Sequence, residues 1–385
     1  MKISFAYVSP SSMPSSSANS VHVVMQCAAL LSEGVDLRVF ANRTVRDLAD
    51  FKESVSRAYG VDLEKADLVT FHGKYKKFLN ARIALLALFK LILRKKPTLV
   101  LSRNLYFSFI YSVVFGKPLL FETHQVEYGF RKSLQRWTMT RPWVKTIVVS
   151  KKLEEILTSE HGVSPSRAIV LPDAAPDGLE LTRKSKRRQR LYQLTQVPSG
   201  NWKSVCGYFG QLYEGRGIEI IEGMARERPG VLFLVYGGDP KDVACRREVN
   251  RNFPNIFFGG HVAHPEAQEL MRCVDILLMP YQSKVSIGVK GHDTGRWMSP
   301  MKMFEYMASG VPIISSDLSV LREVLLDEEN AILVSPSDQR EWCEALDRLS
   351  YDASLADSIG QRAHQDYRER YTWGVRARAI LALGN

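Results

Sequence analysis

The sequence predicts an α/β protein made of two doubly wound domains, on three observations. A chain of 385 residues is longer than one hydrophobic core usually serves, at ~150 residues per domain. Short apolar runs alternate with stretches of helical period along its length, the pattern of parallel sheets covered by helices. The alternation is interrupted once, at the basic, poorly apolar segment from Arg183 to Arg190, which Pro198-Ser199-Gly200 follows.

Before that break, strands are expected at Ile3–Val8, Leu37–Phe40, Leu99–Leu101, Pro118–Glu122, Thr146–Val149 and Ala168–Leu171. Helical stretches lie near Val21–Leu31, Ala81–Leu93, Phe107–Phe115 and Lys152–Ser159. After it, strands are expected at Val205–Phe209, Val231–Tyr236, Ile256–Phe258, Ile276–Met279, Pro312–Ser315 and Ala331–Val334. The expected organisation is an N-terminal domain over 1–180, a basic linker over 181–200 and a C-terminal domain over 201–370. A last helix over about 370–385 is expected to pack back on the first domain. Ligands of open α/β sheets bind beyond the carboxyl ends of the strands, so the two domains are expected to face a cleft.

With 45% apolar and 24% charged residues, the composition excludes collagen-like, coiled-coil and disordered classes. The five cysteines (Cys27, Cys206, Cys245, Cys273, Cys343) are odd in number and lack metal-ligand spacing, so free thiols in a reducing compartment are expected. Met1-Lys2-Ile3-Ser4-Phe5 runs straight into a strand without a secretory pattern. The most apolar segment, Ile83–Leu93, is interrupted by Lys90 and falls short of the ~20 residues that span a bilayer. A cytoplasmic protein is therefore expected.

Residues 1–200 hold 31 Lys and Arg against 16 Asp and Glu, whereas residues 201–385 hold 21 against 25. Either the first half meets an anionic surface or it carries a solvated basic face. No aromatic-bearing nucleic-acid motif accompanies the charge, so nucleic acid is not an expected partner.

The most informative stretch runs from Ser299 to Asp317. Ser299 is placed to cap a helix with Pro300 at its first position and Met301 and Lys302 in its first turn; Gly310-Val311-Pro312 ends it. A helix N-terminus after Gly295 and a loop with Gly288 and Gly291 offers unpaired N–H groups to a diphosphate. Glu305, about a turn further in, is placed to accept hydrogen bonds from a ribose diol.

This stretch resembles the donor-site helix of the retaining family 4 glycosyltransferases, which reads Pro-x-Lys-x-Phe-Glu-Tyr-Met-Ala-x-Gly-x-Pro in one large subset. The resemblance implies a GT-B fold of two Rossmann-like domains, with Glu305 on the ribose of the nucleotide. One departure stands out: the family's Glu-x7-Glu pair would put its first glutamate at the position of Trp297. Asp293 and Thr294, in the loop Gly291-His292-Asp293-Thr294-Gly295, are the candidates to supply the missing sugar contacts.

A second matching segment runs from Tyr208 through Gly210, Gln211, Gly215, Arg216 and Gly217 to Glu219. Gln211 stands where the family usually has arginine, and Arg216 where it usually has the lysine that grips the donor diphosphate. A guanidinium binds phosphate oxygens bidentately, and a cation at a helix start is disfavoured until an anion arrives. The resemblance extends through Tyr236-Gly237-Gly238, the base-contact region Gly260-His261-Val262 with Ala267–Arg272, the run Asp275–Tyr281 and Glu323. In the first half it covers Val170–Ala174 and Phe121-Glu122-Thr123-His124, whose histidine lies near the donor sugar in relatives. The loop Ser9–Ser20 has serines where relatives have glycines; Ser17, Asn19 or Ser20 is the candidate contact, or Ser20 is an N-cap. Ser17, Asn19 and His22 are assigned to the acceptor side.

The resemblance implies transfer of a sugar from a nucleotide-diphosphate donor to an acceptor hydroxyl with retention, in bacterial-type surface glycan or glycolipid assembly. His124, Arg216 and Glu305 are the expected catalytic residues. The leaving diphosphate helps to deprotonate the acceptor, so neither metal nor cofactor is expected; the sequence also lacks an Asp-x-Asp pair. Trp297 and Gln211 keep a catalytically degraded nucleotide-sugar-binding protein open as an alternative, beside a GT-B epimerase.

Two basic stretches are expected to meet anionic lipid, near a glycan or lipid-linked acceptor. One comprises Lys74, Lys76, Lys77 and Arg82, then Lys90, Arg94, Lys95 and Lys96; the other Arg131, Lys132, Arg136, Trp137, Arg141, Trp143 and Lys145. The apolar run Ile83–Leu93 between the parts of the first is expected to be a core helix exposed only at its ends.

Overall fold

The computed structural model describes residues 3–72, 78–93, 99–162, 168–197, 200–286 and 293–384. The chain divides into two compact units, Met1–Asp173 with Trp373–Asn385, and Ala174–Thr372.

The first unit contains β1 (Ser4–Met13), β2 (Asp36–Arg43), β3 (Asp67–His72), β4 (Leu99–Ser102), β5 (Leu119–Thr123), β6 (Val144–Val148) and β7 (Ala168–Val170). They pair in parallel in the order β3-β2-β1-β4-β5-β6-β7. Phe5, Ala6, Tyr7 and Val8 are wholly buried, as expected of a central parallel strand covered on both faces. The second unit contains β8 (Ser204–Phe209), β9 (Val231–Tyr236), β10 (Ile256–Gly260), β11 (Ile276–Met279), β12 (Ile313–Ser316) and β13 (Ile332–Val334). Their order, again parallel, is β10-β9-β8-β11-β12-β13. Side chains of β8 alternate between two cores, Val205 and Phe209 in one, Cys206 and Tyr208 in the other.

In each sheet the strand order reverses beside the first strand, between β1 and β4 and between β8 and β11. Loops leaving neighbouring strands part at these points, which opens a crevice at their carboxyl ends. Both groups of candidate functional residues lie at such ends.

Four expectations are corrected. The basic segment 181–200 is not a linker: Lys184–Leu194 is a helix of the second unit. Leu191 and Arg187 are buried, Arg187 donating to the Thr182 carbonyl at 3.2 Å, and Arg188 donates to Asp275 at 2.6 Å, so part of the basic run is tied into the unit. The helix Leu79–Leu93 is not a core helix with exposed ends. It packs on β1 and β2 through Ile83, Ala84, Ala87, Leu88 and Leu91, and leaves Leu85, Phe89 and Ile92 at 62, 65 and 42% exposure. These three recur at the i, i+4, i+7 spacing of one outward stripe. Phe107–Phe115 is a short α-helix, Leu105–Phe109, continued as a π-helix over Ile110–Val114. The donor-motif helix begins one residue later than expected, at Met301, with Pro300 extended at φ −77°, ψ 120° as its N-cap.

Lys74, Lys76, Lys77, Arg94, Lys95, Lys96, Pro198, Ser199, Gly288, Gly291 and His292 lie outside the described residues. Among those described, no helix is long and apolar enough to cross a membrane.

The helix Ala353–Arg370 packs on Met301–Ser309 with Gly360 at the contact, where a Cβ would stand 2.4 Å from the Gly310 carbonyl oxygen. Gly360→Ala should therefore lower stability by ~1–3 kcal/mol, read as a reduced Tm in circular dichroism melting. Gly230→Ala, whose Cβ would meet nothing within 4 Å, should stay within ~0.5 kcal/mol of the parent. Equal melting of the two variants would show that the helices part without cost.

Candidate functional site

In the second unit, the loop after β8 turns so tightly that Gly215 and Gly217 take φ of 82° and 75°. A Cβ on Gly217 would fall 1.7 Å from the Pro280 carbonyl oxygen, so this loop lies directly on the chain leaving β11. Arg216, between the two glycines, is held in one place. Its Nη1 donates to the Tyr281 hydroxyl at 3.0 Å and its Nη2 to the Ser286 carbonyl at 3.1 Å, while its Nε is buried without a partner among the described residues.

Beside it stands Lys302, in the first turn of the helix Met301–Ser309. Among the described residues its Nζ is buried without a hydrogen bond, 4.0 Å from the ring centre of Tyr208 and 4.5 Å from that of Tyr281. A Cβ on Gly210 would come within 3.1 Å of this nitrogen. Burial, then the neighbouring charge of Arg216, push the lysine well below its usual range, against the pull of Glu305. Two cations are thus gathered at a helix N-terminus with aromatic walls, an arrangement that an anion would relieve.

Gly210, Gln211 and Gly238 complete this corner. Gly210 donates its N–H to the Tyr236 carbonyl, and the Gln211 carbonyl accepts from the Tyr208 hydroxyl at 2.7 Å. The Gln211 side-chain oxygen is buried without a partner among the described residues. Gly237 and Gly238 take φ of 111° and 82°, and a Cβ on Gly237 would meet the Gly210 carbonyl oxygen at 2.2 Å.

Glu305 is 9% exposed, and its Oε1 lies 2.5 Å from His264 Nε2. His264 opens the helix His264–Met271, and the sequence reading missed it: nothing in the spacing of 264 and 305 announces the pair. Tyr208 and Tyr281 were missed as walls of the cation site, although each stands at the end of a recognised strand. Asp293 and Thr294 fasten their turn to Val285. Asp293 Oδ1 accepts from Val285 N at 2.9 Å and Gly295 N at 2.8 Å, and Thr294 N donates to the Val285 carbonyl. His261 is exposed after β10; Ser299 precedes the Pro300 cap; Glu323 ends a short 3-10 turn after β12.

In the first unit, Glu122 at the end of β5 is buried, and its Oε1 gathers three nitrogens: His124 Nε2 at 2.7 Å, Arg376 Nη2 at 2.8 Å and His22 Nε2 at 3.0 Å. His22 Nδ1 lies 2.7 Å from Asp173 Oδ1. Burial would raise the Glu122 carboxyl, but Arg376 and His22 overcome it and hold the group well below the usual range. Burial, with Arg103 adding to it, lowers His124 to about 4. Its ring is therefore neutral near neutral pH; donation from Nε2 to Glu122 leaves Nδ1 as an acceptor, and the side chain is 24% exposed.

His22, Glu122 and His124 are also the one group among the described residues that could hold a metal ion, with ligand atoms within 4.8 Å of one another. The Arg376 guanidinium already sits on the shared carboxylate oxygen, so a metal there would face a fixed positive charge. Of the other residues assigned to this unit, Ser17 is the N-cap of the helix Ala18–Ser32, accepting from Ser20 N. Ser20 is buried on the Tyr59 hydroxyl at 2.5 Å rather than acting as the cap, and Asn19 Nδ2 donates to Ser11 at 2.6 Å. Of Ser17, Asn19 and His22, assigned to the acceptor side, only His22 belongs to the charged cluster.

The family model Glycosyltransferase Family 4 matches residues 20–175, and the model Glycosyl transferases group 1 matches residues 203–352. A phosphatidyl-myo-inositol mannosyltransferase of Mycobacterium leprae is 28% identical over 152 residues, 40% of this chain and 37% of that protein. A D-inositol 3-phosphate glycosyltransferase of Mycobacterium marinum is 22% identical over 234 residues, 59% of this chain and 46% of that protein. The chain thus matches less than half the length of these curated relatives. Among solved structures, Anabaena HepE in complex with UDP and glucose superposes with a TM-score of 0.70 at 16% identity, over 99% of both chains. WaaG, a glycosyltransferase involved in lipopolysaccharide biosynthesis, gives 0.68 at 14% identity, over 97% of this chain and 98% of that one. With one model on each half and the same fold throughout, the chain belongs to family 4 of the GT-B glycosyltransferases.

Proposed function

We propose that the protein transfers a sugar, with retention, from a nucleotide-diphosphate donor to an acceptor hydroxyl in the assembly of a surface glycan or glycolipid. The observation that carries this reading is the pair of basic groups at the switch point of the second sheet, the half-buried Arg216 and Lys302, whose Nζ is buried without a hydrogen bond among the described residues. A diphosphate would neutralise both and accept from the helix N-terminus, and the same groups would stabilise its growing charge as the sugar departs. Glu305, with one oxygen on His264, keeps its other for a ribose hydroxyl. His124, with Nε2 engaged by Glu122, offers Nδ1 on the acceptor side. In this reading the leaving diphosphate takes the acceptor proton and no metal takes part. HepE was solved with UDP and glucose, which supports a nucleoside diphosphate here. The mannosyltransferase and WaaG, by their names, support a glycolipid acceptor.

The same reading places the protein at the inner face of a membrane. The bare stripe Leu85, Phe89 and Ile92, with Arg82 and Lys90 on the same helix and the half-exposed Trp137 beside Arg136 in sequence, supports it. The helix joins the basic and Trp-bearing stretches as a contact surface.

Three outcomes are expected. Calorimetric titration with nucleoside diphosphates should find one that binds the wild type with proton uptake, because the anion returns Lys302 towards its usual range; uptake should vanish at pH values below the depressed lysine value. Arg216→Ala should weaken that binding by ~1.5–3 kcal/mol; unchanged affinity would remove the diphosphate assignment. In pH profiles of transfer, the acid limb due to His124 should lie near its lowered value of about 4, and His124→Ala should cut transfer more than diphosphate binding. An acid limb in the ordinary histidine range would count against it. Sedimentation with liposomes should show binding that needs anionic lipid, fades with salt and is lost in Phe89→Glu, each cation near the bilayer adding ~1 kcal/mol. Equal recovery with neutral vesicles would favour a soluble acceptor.

A further inference from the structure

Two basic groups that share one corner repel each other whenever both are charged, so something has to hold Arg216 and Lys302 together. One side chain meets both. The Tyr281 hydroxyl accepts from Arg216 Nη1 at 3.0 Å, and the centre of the Tyr281 ring lies 4.5 Å from Lys302 Nζ. Tyr208, the other ring beside the lysine, spends its hydroxyl on the Gln211 carbonyl at 2.7 Å. Tyr281 is itself fixed. It is 1% exposed and packs in a core of the second unit. The chain around it is fastened to the Arg216 loop, Gln282 N donating to the Gly215 carbonyl at 2.9 Å and Ser286 N to the Glu214 carbonyl at 3.1 Å. Hydroxyl and ring therefore stand in a set relation to the loop after β8.

We infer that Tyr281 is a positioning residue, holding Arg216 by its hydroxyl and Lys302 by its ring at the spacing that two linked phosphates bridge. Contact with the diphosphate belongs to Arg216 and Lys302, and to that extent the inference rests on the transfer reading above. An ordered guanidinium loses less freedom when an anion arrives, and a ring face favours the ammonium with which the anion pairs. The two parts are separable. Phenylalanine at 281 keeps the ring and removes the hydrogen-bond acceptor, whereas leucine removes both.

Phosphorus NMR titration of the full-length chain tests this, with pyrophosphate as the probe and orthophosphate as the control. Pyrophosphate should bind about tenfold or more tightly than orthophosphate, which is too short to reach both groups. Tyr281→Phe should weaken pyrophosphate binding about fivefold and change nothing in an Arg216→Ala background, because the hydroxyl acts only through that guanidinium. Tyr281→Leu should cost about threefold more than Tyr281→Phe, and this extra loss should vanish in a Lys302→Met background. General damage to the fold would persist in both backgrounds. If Tyr281→Leu does not fold, the cycle of Tyr281→Phe with Arg216→Ala decides. Equal binding of the two anions, wild-type affinity in Tyr281→Phe, or a loss that survives where its partner is absent would overturn the inference. If the cycles close as expected but no nucleoside diphosphate binds, the transfer reading fails and the role of Tyr281 stands; a nucleoside diphosphate that binds equally well to the wild type and Tyr281→Phe removes that role alone.

Discussion

One carboxylate oxygen organises the first unit. Glu122 Oε1, at the buried end of β5, is shared by Arg376, His124 and His22, and Asp173 takes the other nitrogen of His22. Removing Arg376 would leave the buried Glu122 carboxylate without its guanidinium, and an unpaired ion in the interior costs several kcal/mol. The network fixes the tautomer of His124 and ties the helices Ala18–Ser32 and Trp373–Ala382 to the same strand end. Arg376 extends that tie, donating to Gln26 Oε1 and to the Pro172 carbonyl.

The second unit is built on the opposite condition. Its switch point gathers charge of one sign, Arg216 and Lys302, and aromatic rings rather than carboxylates surround the lysine nitrogen. Glycines at 215, 217 and 237 let backbone approach backbone there, and those at 210 and 238 make room for the side chains of Lys302, Tyr208 and Leu212, so the corner is closely filled. One unit pairs charges of opposite sign, and the other gathers basic groups. That contrast fits a first unit that presents a fixed group and a second whose charge is completed by what it binds.

Most of this architecture is legible in the sequence because central parallel strands are continuous apolar runs. Val231–Tyr236 and Val205–Phe209 lie within a residue of their expected limits. The edge is less legible: β3 has one buried residue, Val69, and so shows no apolar run, and the helix Leu48–Tyr59 buries only Phe51, Val55 and Tyr59. Motif residues were readable where chemistry and local structure coincide, as for Arg216 and Lys302. Partners from distant parts of the chain were not. His264 meets Glu305 from 41 residues away and Arg376 meets Glu122 from 254, and no local pattern encodes either separation. The outward stripe of Leu79–Leu93 was misread for a related reason: hydrophobicity all round a helix does not say which face the sheet will cover.

The first unit is discontinuous, closing with residues that come last in the chain. Synthesis proceeds from the N-terminus, and domains generally fold as they emerge, but here the counter-ion of Glu122 is made only after the whole second unit. Until Arg376 arrives, the first sheet carries a buried carboxylate and an uncovered helix face. The second unit, continuous from Ala174 to Thr372, is free to fold before the first is complete. On the ribosome, the later-encoded half would therefore be the earlier to mature.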